Sequence, residues 1–279
     1  MGEDSYPRQS ARTQRFTLGA PRNFSVAPDG SRVVFLRTGS GTDRTTMLWV
    51  AEVGSHTLAE RVVADPRDLF SGNEELSAAE RARRERAREG AGGVVGYATD
   101  SAVTLAAFAL SGGLYVADLS GGGVRALDVA EPVIDPRPDP TGRQIAYVSG
   151  GAVRVVGVDG TGDREVGGQD AGGDVSWGLA EFIAAEEMGR FRGYWWSPEG
   201  DVLLVARVDN GPVRRWHIAD PAQPGDRPAE IAYPAAGTPN ARVSLHLLRL
   251  DGSSTEVRWD RDRFEYLNSV HWSGNGNPL

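Results

Sequence analysis

Along most of this chain apolar and polar residues alternate over short runs with a period of two, the pattern of half-buried strands. Phe24–Thr38, FSVAPDGSRVVFLRT, reads as a strand, a Pro-Asp-Gly turn and a second strand. Proline presets φ for such a turn, and glycine accepts the left-handed conformation it needs. Met47–Val53, MLWVAEV, follows as a third strand. The unit returns in Gly96–Gly122, in Ile134–Gly160 and in Tyr194–Asp209, YWWSPEGDVLLVARVD. Val243–Trp259 adds two strands around an Asp-Gly turn, and LNSVHWSGNGNPL opens one more unit with a single strand. From Thr99-Asp100 to Pro140-Thr141 the interval is about 40 residues, the length of a four-stranded propeller blade. The expected fold class is all-β, a partial β-propeller of about four to five blades with short helical insertions. The 36 glycines and 16 prolines suit many tight turns better than long helices.

Four segments break the alternation. Residues 1–15 read as a disordered or loosely docked lead-in to a propeller domain over 16–279. The insertion at 74–90, EELSAAERARRERAREG, has strong helix propensity and alternating Glu and Arg. The insertion at 178–193 carries the adjacent carboxylates Glu186 and Glu187 in a short helical segment that runs into Trp195-Trp196, read as blade core. The insertion at 210–237 is Pro-rich and reads as a projecting arm. Adjacent helical positions point about 100° apart, so both carboxylates converge on one small cation only near a helix end or turn. A primary ammonium, with three donors and one charge, suits such a pair. A lone Glu-Glu dipeptide is otherwise a solvated pair.

Composition narrows the chemistry. The net charge of −8 and the pI near 5.1 argue against a nucleic-acid surface. The chain has no lysine, which removes Schiff-base, lysine-base and phosphate-loop chemistry, and no cysteine, which removes disulfides, thiolate nucleophiles and cysteine metal sites. The polar N-terminus does not read as a secretory signal, and no run of about 18 apolar residues is present, so a cytoplasmic location is expected. His56, His217, His246 and His271 show no metal-ligand spacing and read as structural or exposed. No cofactor is expected.

GLAEFIAAEEMGRFRGYWWSPEG, with VLLVARVDNGPV, YPAAGTPNARVSLHLL (Tyr233–Leu248), the Pro-Asp-Gly turns and the basic helix before Gly90, resembles the dipeptidyl peptidase IV family of the prolyl oligopeptidase group of serine peptidases. The resemblance covers nearly the whole chain. It implies an N-terminal eight-bladed propeller and a C-terminal α/β-hydrolase domain that together release dipeptides from peptides with Pro or Ala second from the N-terminus. It implies that Glu186 and Glu187 bind the substrate α-ammonium. It also implies that an arginine of the basic helix holds substrate carbonyls, with Arg88 the best positional match and Arg84 next. The arm at 211–234 resembles the one that family members use to dimerise. A competing reading for the arginines is pairing with Glu80, Glu85 and Glu89 on a solvated face.

No serine lies in a G-x-S-x-G elbow and no βα alternation builds a hydrolase sheet, so the catalytic domain is expected to be absent from these residues. Two readings follow. In one the chain is the recognition propeller of a dipeptidyl peptidase whose hydrolase domain lies in the same or an adjacent reading frame, and is inactive alone. In the other it is a stand-alone binding or scaffold module without peptidase activity.

Overall fold

The computed structural model describes residues 5–70, 72, 76–225, 227–273 and 276–278. Residues 1–4 of the lead-in, 74–75 of the Arg-rich insertion and 226 of the arm lie outside the described residues. The chain divides into two compact units, one of Met1–Ser149, Arg154–Arg164 and Pro198–Gly200, the other of Gly150–Val153, Glu165–Ser197 and Asp201–Leu279.

The first unit starts with a short helix, α1 (Tyr6–Arg12), none of whose residues is buried. An antiparallel sheet follows in the order β1 (Arg22–Val26), β2 (Arg32–Thr38), β3 (Thr45–Val53), β4 (Leu58–Ala64). Val34 lies opposite Val50 and Leu36 opposite Leu48, so alternation puts all four on one face. That face packs with Ala106, Phe108 and Ala117 of the second sheet. The other face carries Phe35 stacked on Trp49, with the Arg37 guanidinium 4.1 Å above the indole and paired to Glu60 at 2.8 Å. Two helices, α2 (Pro66–Leu69) and α3 (Ala78–Arg86), then precede the two-residue β5 (Gly92–Gly93), which runs parallel to β3.

The second sheet has the order β6 (Ala98–Thr99), β7 (Leu105–Leu110), β8 (Gly113–Asp118), β9 (Gly123–Leu127). The third has the order β10 (Ile134–Pro138), β11 (Gln144–Ser149), β12 (Ala152–Gly157), β13 (Arg164–Gly167), and the division into units passes through it. Ala107, Leu114, Val116, Ile145, Tyr147 and Val156 form a shared core. The Tyr147 hydroxyl donates to Asp163 at 2.7 Å, and Arg154 pairs with the same carboxylate at 3.1 Å. Burial, with Asp163 alongside, pushes the Tyr147 phenol well above its ordinary range.

In the second unit β14 (Val175–Trp177), helix α4 (Phe182–Glu187) and β15 (Tyr194–Trp196) lead to β16 (Val202–Asp209). A two-stranded hairpin, β17 (Arg215–Ile218) with β18 (Ala229–Ala232), forms the arm, before β19 (Arg242–Arg249) and β20 (Ser254–Val257). The fourth sheet runs β14-β16-β19-β20, with β15 also pairing β16. Trp195, Leu204, Ala206 and Leu245 share its core with Val270.

One turn recurs in all four sheets. The backbone N–H of Ala27, Asp100, Asp139 and Ser197 each donates to the carbonyl five residues on. The residue three along is left-handed in each case, as Gly30, Val103, Gly142 and Gly200. At three of these turns the first side chain accepts from the N–H groups four and five residues later: Asp100 from Thr104 and Leu105, Asp139 from Arg143 and Gln144, Ser197 from Asp201 and Val202. Ala27 has no acceptor, and Asp29 takes the Ser31 N–H instead.

The expected all-β class, built of antiparallel sheets, is the observed fold, and among the described residues the four sheets of four or five strands fall within the expected four to five blades. β4, β9 and β13 had no sequence reading of their own: β4 and β9 are largely exposed and β13 is half so, which leaves the apolar alternation weak there, whereas β20 is the second of the two strands read in Val243–Trp259. The single strand expected to open a further unit after Leu267 is not formed among the described residues. Trp272 and Pro278 make one isolated bridge, and Leu267, Val270 and Trp272 instead pack on the core of the fourth sheet.

Candidate functional site

α4 begins at Glu181, whose buried carboxylate accepts the N–H groups of Ile183 and Ala184, the capping pattern usually made by a shorter side chain. Ala184 and Ala185 form the buried face. Glu186 and Glu187 are the last two helical residues, and both are exposed. Met188 caps the helix and Gly189 turns left-handed, which ends it. The carboxylates thus stand at a helix end, the one place where adjacent positions converge. They also stand at the negative end of the helix dipole, and no basic residue lies in that last turn. The helix dipole therefore does not favour the placement.

The chain leaving α4 is fastened to the fourth sheet. The Arg190 N–H donates to the Ala184 carbonyl at 2.9 Å. Its buried guanidinium donates through Nε to Leu267 O at 3.0 Å and through Nη1 to Arg192 O at 2.9 Å. Nη2 lies 3.9 Å from Glu181 Oε1. Burial pulls the Arg190 guanidinium below its ordinary range, with Glu181 opposing. Arg192 donates to the Tyr194 carbonyl and lies over the Trp195 ring at 5.4 Å. Leu179 bridges Arg192, and at Gly193 a Cβ would fall 2.4 Å from the Gly178 carbonyl carbon, so only glycine closes this loop. Trp195 and Trp196 are buried. Phe182 of α4 meets Tyr233 edge-on at 5.1 Å, and Tyr233 meets Trp216 of β17 at 5.3 Å, an aromatic chain from α4 to the arm.

The candidate arginines lie in the first unit. Ser77 caps α3, and Glu80 in its first turn accepts from Arg83 at 2.7 Å and from Arg84 at 2.9 Å. Burial raises the Glu80 pKa, but these hydrogen bonds outweigh it and hold the carboxyl below its ordinary range. Arg84 makes the i,i+4 pair with Glu80 that the competing reading names, but the pair is buried, not on a solvated face. Arg88 lies past the helix end, exposed and left-handed at φ +53. Its neighbour Glu89 pairs with Arg22 at 2.6 Å and accepts the Ala91 N–H. Of the two, Arg88 is the one presented to solvent.

His56, His217 and His271 are exposed. His246 is half-buried against Trp177 and bonded to Ser244 Oγ at 2.9 Å. Among the described residues no group of three or more His, Cys, Asp or Glu is placed to hold a metal ion, and no helix is long and apolar enough to cross a membrane. Sequence reasoning missed Glu181, Arg190 and the Phe182–Tyr233–Trp216 chain. For Glu181 and Arg190 burial was the missing signal, and for the aromatics it was contact between residues far apart in the chain.

Residues 105–279 match the family model described as dipeptidyl peptidase IV (DPP IV) N-terminal region. Dipeptidyl aminopeptidase B of Saccharomyces cerevisiae is 32% identical over 93 residues, 30% of this chain and 11% of that protein. Dipeptidyl peptidase 8 of Homo sapiens is 29% identical over 79 residues, 25% of this chain and 9% of that protein. These matches therefore span about a tenth of the relatives' length. The crystal structure of Porphyromonas gingivalis dipeptidyl peptidase 4 superposes with a TM-score of 0.62 at 19% identity, covering 93% of this chain and 36% of that one, a likeness of fold. With its repeated blade turns, its Glu-Glu helix and more than half its length matched by the family model, the chain belongs to the dipeptidyl peptidase IV N-terminal region family.

Proposed function

We propose that this chain is the substrate-recognition propeller of a serine dipeptidyl peptidase that removes dipeptides from peptides with Pro or Ala at the second position. Glu186 and Glu187 anchor the substrate α-ammonium. The supporting observation is that both carboxylates are exposed at the end of a helix whose start is capped by Glu181 and whose exit is fastened by Arg190. Two acceptors on a fixed support take two of the three ammonium donors, and each charge-assisted bond is among the stronger kinds. An anchored amine measures a set distance to the scissile bond, which limits the product to two residues. Arg88 is assigned the role of carbonyl donor, and Arg84 supports α3 through Glu80. Covalent catalysis belongs to an α/β-hydrolase domain in the same or an adjacent reading frame. The arm at 211–234 is proposed as a homodimer contact, and the setting as cytoplasmic.

Calorimetric titration with the tripeptide Ala-Pro-Ala tests the anchor. Replacing both residues (Glu186→Gln with Glu187→Gln) exchanges charge-assisted bonds for neutral ones and weakens binding by roughly 1–3 kcal/mol per substitution. N-acetyl-Ala-Pro-Ala should suffer a comparable loss on the unaltered chain. Equal affinity for the free and acetylated peptides would remove the ammonium-anchor role and leave a stand-alone binding module as the better reading.

A further inference from the structure

We infer that Arg190 is a positioning residue for the Glu186–Glu187 pair, an inference that rests on reading that pair as an ammonium anchor. α4 has six residues, too few to persist by its own hydrogen bonds. Its shape is supported from outside, and Arg190 contributes at both of its ends. The Arg190 backbone N–H holds the Ala184 carbonyl in the last turn. The guanidinium reaches the carbonyl of Arg192, two residues on, and the distant carbonyl of Leu267, and lies against the carboxylate that caps the helix start. Arg190 thereby ties both ends of α4 to the loop that carries Leu267, which packs on the core of the fourth sheet. Its side chain is 6% exposed, and Nη2 makes no hydrogen bond among the described residues. A planar fork with fixed donor directions holds its two carbonyls at a set angle, a geometry that an ammonium on a flexible stem does not fix. The two glutamates lie within the turn that Arg190 secures, so a loss of the fork changes where their carboxylates point while both remain exposed.

The test compares unaltered chain, Arg190→Met and Arg190→Lys by titration with Ala-Pro-Ala and N-acetyl-Ala-Pro-Ala, alongside thermal melts. The unaltered chain should prefer the free amine. Arg190→Met should lower affinity for the free-amine peptide about tenfold and leave the acetylated peptide unchanged, which collapses the preference. Arg190→Lys, which keeps charge and bulk, should reduce the preference at least threefold while melting cooperatively. A merely structural role would move the melt or weaken both peptides together, leaving their ratio intact. If the unaltered chain shows no preference, the anchor reading itself falls. If it does, and a folded Arg190→Met retains the full preference, the positioning role is overturned. Should Arg190→Met not fold, an unchanged ratio in Arg190→Lys overturns it equally.

Discussion

Asp139 shows what a single buried carboxylate does in this fold. It is 1% exposed and accepts from the Thr141 N–H and hydroxyl and from the N–H groups of Arg143 and Gln144. Asp139→Ala leaves those backbone donors without an acceptor, which costs about 1–3 kcal/mol. Chemical denaturation should show the midpoint falling without a change of slope, with Asp139→Asn intermediate. An alanine variant as stable as the parent would mean that the turn recruits another acceptor, as Ala27 does through Asp29. At this scale the sequence was legible where chemistry needs a rare pattern. Glu186-Glu187 stood out because it sits inside a long motif running to Trp196. Glu181 and Arg190 did not stand out, because a charged letter carries no sign of burial, and only the folded chain shows that both are 7% exposed.

Among the elements, α3 combines expectation with surprise. Its propensity and its Glu–Arg alternation were readable, and Ala78–Arg86 is helical. Which arginines the helix keeps for itself was not, since that depends on the buried side of Glu80. The folded-state pKa of Glu80 lies below its ordinary 4.5. The stability it contributes is therefore present above the ordinary value and lost as pH falls through the folded value. Melting curves of the unaltered chain and Glu80→Gln, recorded from pH 6 to pH 3, should differ most at pH 6 and converge below the ordinary glutamate range. A gap that stays constant with pH would mean that the Glu80 contribution is not ionic. β4 and β9 show the opposite failure of legibility: they exist through backbone pairing at a polar edge, which no side-chain period announces.

For the molecule as a whole, the repeat of turn and strand was enough to reach the sheet architecture, because blade turns restrict φ and so restrict residue type. The arm is a different case. Among the described residues its two strands pair with one another alone and are almost wholly exposed, with Trp216 and Ile218 among the exposed apolar side chains. An isolated hairpin is marginal in water. Dilute subtilisin should therefore cut first between Ile218 and Ala229, before any strand of the fourth sheet, and the nicked product should keep the parental melting temperature. If the arm joins two copies, protection should rise with protein concentration. Cleavage that is equally fast at all concentrations would count against that contact.

The recurring turn also speaks about descent. Its backbone bond from residue i to i+5 is kept in all four sheets, whereas the residue at i is Ala, Asp, Asp and Ser. The left-handed position holds glycine three times and a buried valine once. If one ancestral unit was copied along the gene, what the copies inherited and kept is a path of the main chain. The side chains that support that path were free to drift, and Val103 marks where drift has gone furthest.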